Sequence, residues 1–120
     1  MTDKSKYDLF ALSKELEIDM EDMVEIFNVY FIEVNELILN LRYLYQKEDW
    51  VKLKKVNHNI RGISSNLRVN DIYEIALRLD NLVEVGLYDD IDISITELEE
   101  VSKESQIEIN KFFIQNGLKV

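Results

Sequence analysis

The chain has 120 residues with no cysteine, no proline and three glycines, is 47% hydrophobic, and carries a formal charge of −10. That length holds one domain of ordinary size, and the scarcity of Pro and Gly removes the turn residues that hairpins and sandwiches need, so a single all-α domain over residues 1–120 is expected. Composition excludes disulfides and thiolate metal sites. With no apolar leader at the start, and with 37-LILNLRYLYQ broken by Asn40 and Arg42, a cytoplasmic protein that does not span a membrane is expected.

A first short helix is predicted near 7–16, carrying Leu9, Phe10, Leu12 and Leu16. After Asp19, a good capping residue, Met20, Met23, Val24, Phe27, Phe31, Val34, Ile38, Leu41 and Tyr45 recur at three- and four-residue spacing, which predicts one long amphipathic helix. This helix has a second apolar line, Val29, Ile32, Leu39 and Tyr43, interrupted by Glu36. The segment 47-KED offers a turn with Asp49 as cap, and Leu53, Val56, Ile60, Ile63 and Leu67 form the stripe of a third helix. Asn70 is placed to cap a fourth, with Ile72, Ile75, Ala76, Leu79, Leu82 and Val83 inside and Gly86 as its stop. A last helix is predicted from about 93 to 116. Ile95, Leu98, Ile109 and Phe112 share one of its faces, Ser102 and Ser105 are its weak points, and Gly117 ends it. Four longish helices with short connections predict an antiparallel up-down-up-down four-helix bundle with the N-terminal helix as a lid.

Charge is uneven along the chain. Residues 1–46 hold ten acids and four bases, and residues 69–108 hold twelve and two, whereas 47–68 hold two acids against Lys47, Lys52, Lys54, Lys55, Arg61 and Arg68. This basic island surrounds His58, the chain's only histidine. At about 100° per residue, with Leu53 at zero, the third helix's stripe centres near roughly 320° and His58 falls at about 140°, on the solvent side. Lys54, Lys55, Gly62 and Ser65 share its sector, with Arg61 at the edge.

One imidazole without cysteine, ringed by cations, is a poor start for a metal site, and Ser65, about 10 Å along the same helix, is too far for a nucleophilic triad. A neutral imidazole is itself a nucleophile, and cations around it favour an incoming dianionic phosphoryl group. Arg61 is placed to bond phosphoryl oxygens, and Gly62 removes a side chain that would obstruct a second protein.

These residues carry a resemblance. The stretch 49-DWVKLKKVNHNIRGISSNL resembles the phosphoacceptor helix of histidine-containing phosphotransfer (HPt) domains, in which a His is followed by a hydrophobic residue, Lys, Gly, a small residue and an apolar one. Here these are His58, Ile60, Arg61, Gly62, Ser64 with Ser65, and Leu67; Asp49 and Leu53 match the lead-in, and 75-IALRLDNLVEVG resembles the following helix. The similarity covers about 20–117. Arg61 replaces the more usual Lys, and Arg68 stands where Gly is common.

The resemblance implies an antiparallel four-helix bundle and a phosphorelay intermediate. His58 would take a phosphoryl group from the aspartate of a receiver domain and pass it to another response-regulator receiver, downstream of a hybrid histidine kinase. No cofactor of its own is implied, since the Mg²⁺ and its acidic pocket belong to the receiver. No Gly-rich nucleotide segment is visible, so a carrier without its own ATP site is expected. The motif H-N-I-R-G without Pro also departs from the H-E-L-R-T-P pattern of kinase dimerisation helices. Lys54, Lys55 and Ser65 are expected to surround the phosphoryl group. An antiparallel turn near residue 48 sets His58 level with about residue 38, which makes Ile32 and Leu39 candidates for receiver docking, unless that line packs on the lid or a second helix. A monomer is expected, and the small basic island does not suit nucleic acid. The alternative is an acidic helical adaptor, an HPt-like bundle that docks partners without being phosphorylated.

Overall fold

A computed structural model describes residues 7–120, and these are all-helical: α1 (Leu9–Leu16), α2 (Met20–Gln46), α3 (Trp50–Asn66), α4 (Asn70–Val85) and α5 (Tyr88–Gln115). No helix among the described residues is long and apolar enough to cross a membrane. The connections between α2 and α5 are two or three residues long. Within that segment α2 packs on α3 and α5, α3 on α4, and α4 on α5, closing a ring of four helices, while α1 packs against α2. Phe27, Phe31, Phe113, Met23, Leu41, Leu53, Ile60, Ile72, Leu79, Ile91 and Ile95 fill the interior of the ring. Burying each such side chain contributes about 1.5–3 kcal/mol.

The local signals act unequally. Asp8 caps α1, its Oδ1 accepting from Ala11 N (3.0 Å), and Asp49 caps α3, its Oδ1 accepting from Lys52 N (3.2 Å). Asp19 occupies the cap position of α2 without a side-chain hydrogen bond, and Asn70 lies inside α4, whose cap position holds Val69. Gly86 stops α4 in the left-handed conformation, φ 74°. The last helix starts at Tyr88, earlier than its apolar spacing indicates, because Asp89 and Asp90 suit the positive end of the helix dipole and Ile91 is fully buried.

Several interior positions are polar. Ser102 and Ser105 are buried: Ser102 Oγ donates to Asn35 Oδ1 (2.6 Å), and Ser105 Oγ donates to Asp71 Oδ2 (3.2 Å). The Tyr7 hydroxyl also donates to Asp71 Oδ2 (2.6 Å), which ties the segment before α1 to α4. Phe113 rather than Phe112 is the fully buried aromatic of α5, and Phe112 instead meets Phe10 edge-on at 5.2 Å.

On α3 the buried residues are Leu53, Asn57, Ile60 and Ser64, with Val56, Ile63 and Leu67 only partly covered. The core direction therefore lies near about 10° on the wheel, roughly 50° from the centre of the apolar stripe. Asn57 and Ser64 turn inward because each finds a buried partner: Asn57 Nδ2 donates to Ala76 O (2.7 Å), and Ser64 Oγ lies 2.7 Å from the Tyr30 hydroxyl.

Candidate functional site

His58 is exposed on α3 and makes no hydrogen bond or ion pair with any described residue. It stands on a ridge between two grooves. Toward α4 lies a groove of about 710 Å³ lined by Val51, Lys54, Lys55, His58, Arg61 and Asp80. Toward α2 lies one of about 460 Å³ lined by Glu33, Leu37, His58, Asn59, Gly62 and Ile63. With the core of α3 rotated, His58 stands about 130° from the buried direction, still on the outer face of the helix, where it lines both grooves.

The cations of the island are not equivalent. Lys54 is half-buried and pairs with Glu84 of α4. Lys55 is exposed and pairs with no carboxylate among the described residues. Arg61 Nη1 donates to Asp80 Oδ2 at 2.6 Å, with its side chain 28% exposed. Partial burial works against the Arg61 charge, but the hydrogen bond to Asp80, with a contribution from nearby Tyr73, outweighs it and raises the pKa above the ordinary value, so the guanidinium is always cationic. In this conformation one of its N–H groups is engaged with α4, so Arg61 is less free than its place beside His58 suggested.

Gly62 is exposed, and a Cβ built on it meets nothing within 4 Å. Its φ is not positive, because among the glycines only Gly86 and Gly117 have that conformation. Neither packing nor backbone geometry requires glycine there. The missing side chain instead opens the groove beside His58.

Other expected site residues are not brought together with the histidine. Ser65 is exposed but lines neither groove, since it lies two turns along α3. Its neighbour Ser64 is buried against Tyr30. The second apolar line of α2 covers nothing: Val29, Ile32, Leu39 and Tyr43 are 56–67% exposed. Leu39 borders a different groove, between α2 and α5, with Asn35, Thr96 and Lys103. The α2 residues that flank His58 are Glu33 and Leu37, at the expected level but in another rotational phase.

Two residues that sequence reasoning passed over complete the site. Asp80 is only 8% exposed and Asn57 is fully buried, and Asn57 Nδ2 donates to Asp80 Oδ1 at 2.7 Å. The available signal was a lone carboxylate beside Leu79 within the apolar pattern of α4. No group of three or more metal-ligating side chains occurs among the described residues. The geometry gives one exposed nucleophile with a cationic groove on one side and an unobstructed approach on the other. No family model matches the chain, and neither the curated proteins nor the solved structures searched contain a match.

Proposed function

We propose that this chain is a phosphorelay intermediate, with α2–α5 forming an antiparallel up-down-up-down four-helix bundle and α1 a lid. His58 is its phosphoacceptor. The observation that carries the reading is the placement of His58: the only histidine, exposed, unused by the fold, and set between the Lys54–Lys55–Arg61 groove and the opening at Gly62.

The unprotonated ring nitrogen of His58 attacks the phosphorus of a receiver's aspartyl phosphate. The N–P bond forms as the acyl O–P bond breaks, the receiver recovers its carboxylate, and the proton on the other ring nitrogen passes to water. A second receiver's aspartate reverses these steps and takes the phosphoryl group onward. Charge on the transferring group is spread over its outer oxygens, so positioned cations supply most of the available help. Lys55 meets those oxygens as an unpaired ammonium, Lys54 as one shared with Glu84, and Arg61 through the donors not bound to Asp80. Mg²⁺ is supplied by the receiver.

Incubation with a phosphorylated receiver domain and Mg²⁺, followed by intact mass spectrometry, tests this. One phosphoryl group is expected, acid-labile and base-stable as a phosphoramidate should be, absent from His58→Gln and not formed with ATP alone. Label retained by His58→Gln overturns the assignment, and an unlabelled wild-type chain favours the adaptor alternative.

A further inference from the structure

We propose that Asp80, held by Asn57, is a positioning residue that presents Arg61 to a phosphate group at His58. This rests on the reading of His58 as phosphoacceptor and adds a function for two buried residues of α3 and α4.

The arrangement is layered from the core outward. Asn57 is fully buried and uses both hydrogens of its amide, one on the main-chain oxygen of Ala76 and one on Asp80 Oδ1, each at 2.7 Å. Those two bonds fix Asn57 to α4 and orient the Asp80 carboxylate. Its other oxygen, Oδ2, is thereby aimed at Arg61 Nη1 (2.6 Å). Asp80 and Arg61 both line the groove that contains His58.

An arginine on an open helix surface samples many rotamers, and most point its guanidinium away from any one site. Here one donor is anchored to a nearly buried carboxylate, and the Nη2 amino group stays outside the pair. A guanidinium holds its N–H donors in a rigid fork, so an anion meeting the Nη donors not bound to Asp80 finds them already oriented. Asn57 Oδ1 and Arg61 Nε are buried without partners among the described residues. The Asp80 bond thus holds the Arg61 guanidinium in the groove that His58 lines.

The test uses inorganic phosphate as the probe and His58 as the reporter, since a lone histidine gives one readable pair of ring-proton NMR signals. Phosphate is titrated into the wild type, Asp80→Asn, Arg61→Ala and the double variant, with far-UV circular dichroism confirming the fold of each. Asp80→Asn is expected to weaken the phosphate response at least fivefold and Arg61→Ala by at least as much. The double variant is expected to be no weaker than Arg61→Ala alone, a non-additivity that a merely structural role would not produce. Asn57→Ala, which leaves carboxylate and guanidinium in place, provides a second route should Asp80→Asn fail to fold, and a loss smaller than that of Arg61→Ala supports the proposal. A wild-type response in Asp80→Asn or, where that variant is unfolded, in Asn57→Ala overturns it. So do losses that multiply in the double variant, or no response in the wild type. Failure of the phosphoacceptor reading is seen separately, as phosphate binding of the expected pattern in a chain whose His58 takes no label from a phosphorylated receiver.

Discussion

Gly62 sets local stability against access. A glycine in an exposed helix interior costs about 0.8–1.0 kcal/mol relative to Ala and somewhat less relative to Gln. Open space around its Cβ position means that a side chain is accommodated without strain. Gly62→Gln is therefore expected to stabilise the fold by roughly 0.5 kcal/mol, raising the melting temperature by about 2–3 °C. The same side chain stands one turn from His58 in the groove toward α2. Under the function proposed for His58, transfer requires reacting atoms within about 3–3.5 Å, so the variant is expected to slow phosphotransfer at least tenfold, or about 1.4 kcal/mol of barrier. Thermal melting and a transfer time course check the two halves. A stabilised variant that transfers at the wild-type rate would remove the access role. His58→Gln, altering an exposed side chain without partners among the described residues, should melt within about 1 °C of the wild type while, under the proposed function, losing all label.

Among the elements, the turn into α3 combines a favourable and an unfavourable residue. Asp49 caps α3, and Asp49→Ala is expected to destabilise by about 1 kcal/mol. The preceding Glu48 is exposed and left-handed, with φ 55°, which costs a residue with a Cβ about 1–2 kcal/mol. Glycine carries no such strain but loses more chain entropy on folding. Glu48→Gly is expected to stabilise by about 0.5–1 kcal/mol, measured by urea unfolding at an unchanged m-value. Arg68, at the other end of α3, has φ 57° and also pairs with Glu15 of α1. A left-handed backbone suits glycine, so Arg68 occupies a strained conformation.

For the whole molecule, two buried tyrosines make stability sensitive to alkali. Tyr30, beside Ser64, and Tyr7, beside Asp71 and Ser105, both have hydroxyl pKa values pushed well above the ordinary value, in each case first by burial. Above about pH 10 the unfolded chain loses these protons while the folded chain keeps them, so the unfolded state binds fewer protons and stability falls as pH rises. Each tyrosine contributes a slope of about 1.4 kcal/mol per pH unit in the window between its unfolded and folded pKa values. Urea unfolding is expected to show this decline as a loss on the order of 2–3 kcal/mol in total between pH 9.5 and 11. Tyr7→Phe or Tyr30→Phe should each remove about half of it.

Helical periodicity and the shortage of Gly and Pro determined the all-α class and the number of helices, because apolar spacing near 3.6 and the absence of breakers are local properties. The solvent placement of His58, its neighbours Lys54, Lys55 and Arg61, and the role of Gly86 as a stop were legible for the same reason. What only the tertiary structure decided was the rotation of each helix about its axis. Asn57 and Ser64 count as surface residues by hydropathy, yet they are buried once Ala76 and Tyr30 offer hydrogen-bond partners, whereas Ser102 and Ser105, whose place on the inner face of α5 was legible, find theirs in Asn35 and Asp71. That pairing turns α3 by roughly 50°, and the phase of α2 brings Leu37 and Glu33 to the histidine while Leu39 borders another groove. Asp80 met Arg61 for the same reason. A hydrogen bond between residues nineteen apart in sequence depends on how two helices face each other, and single-helix periodicity contains no term for that.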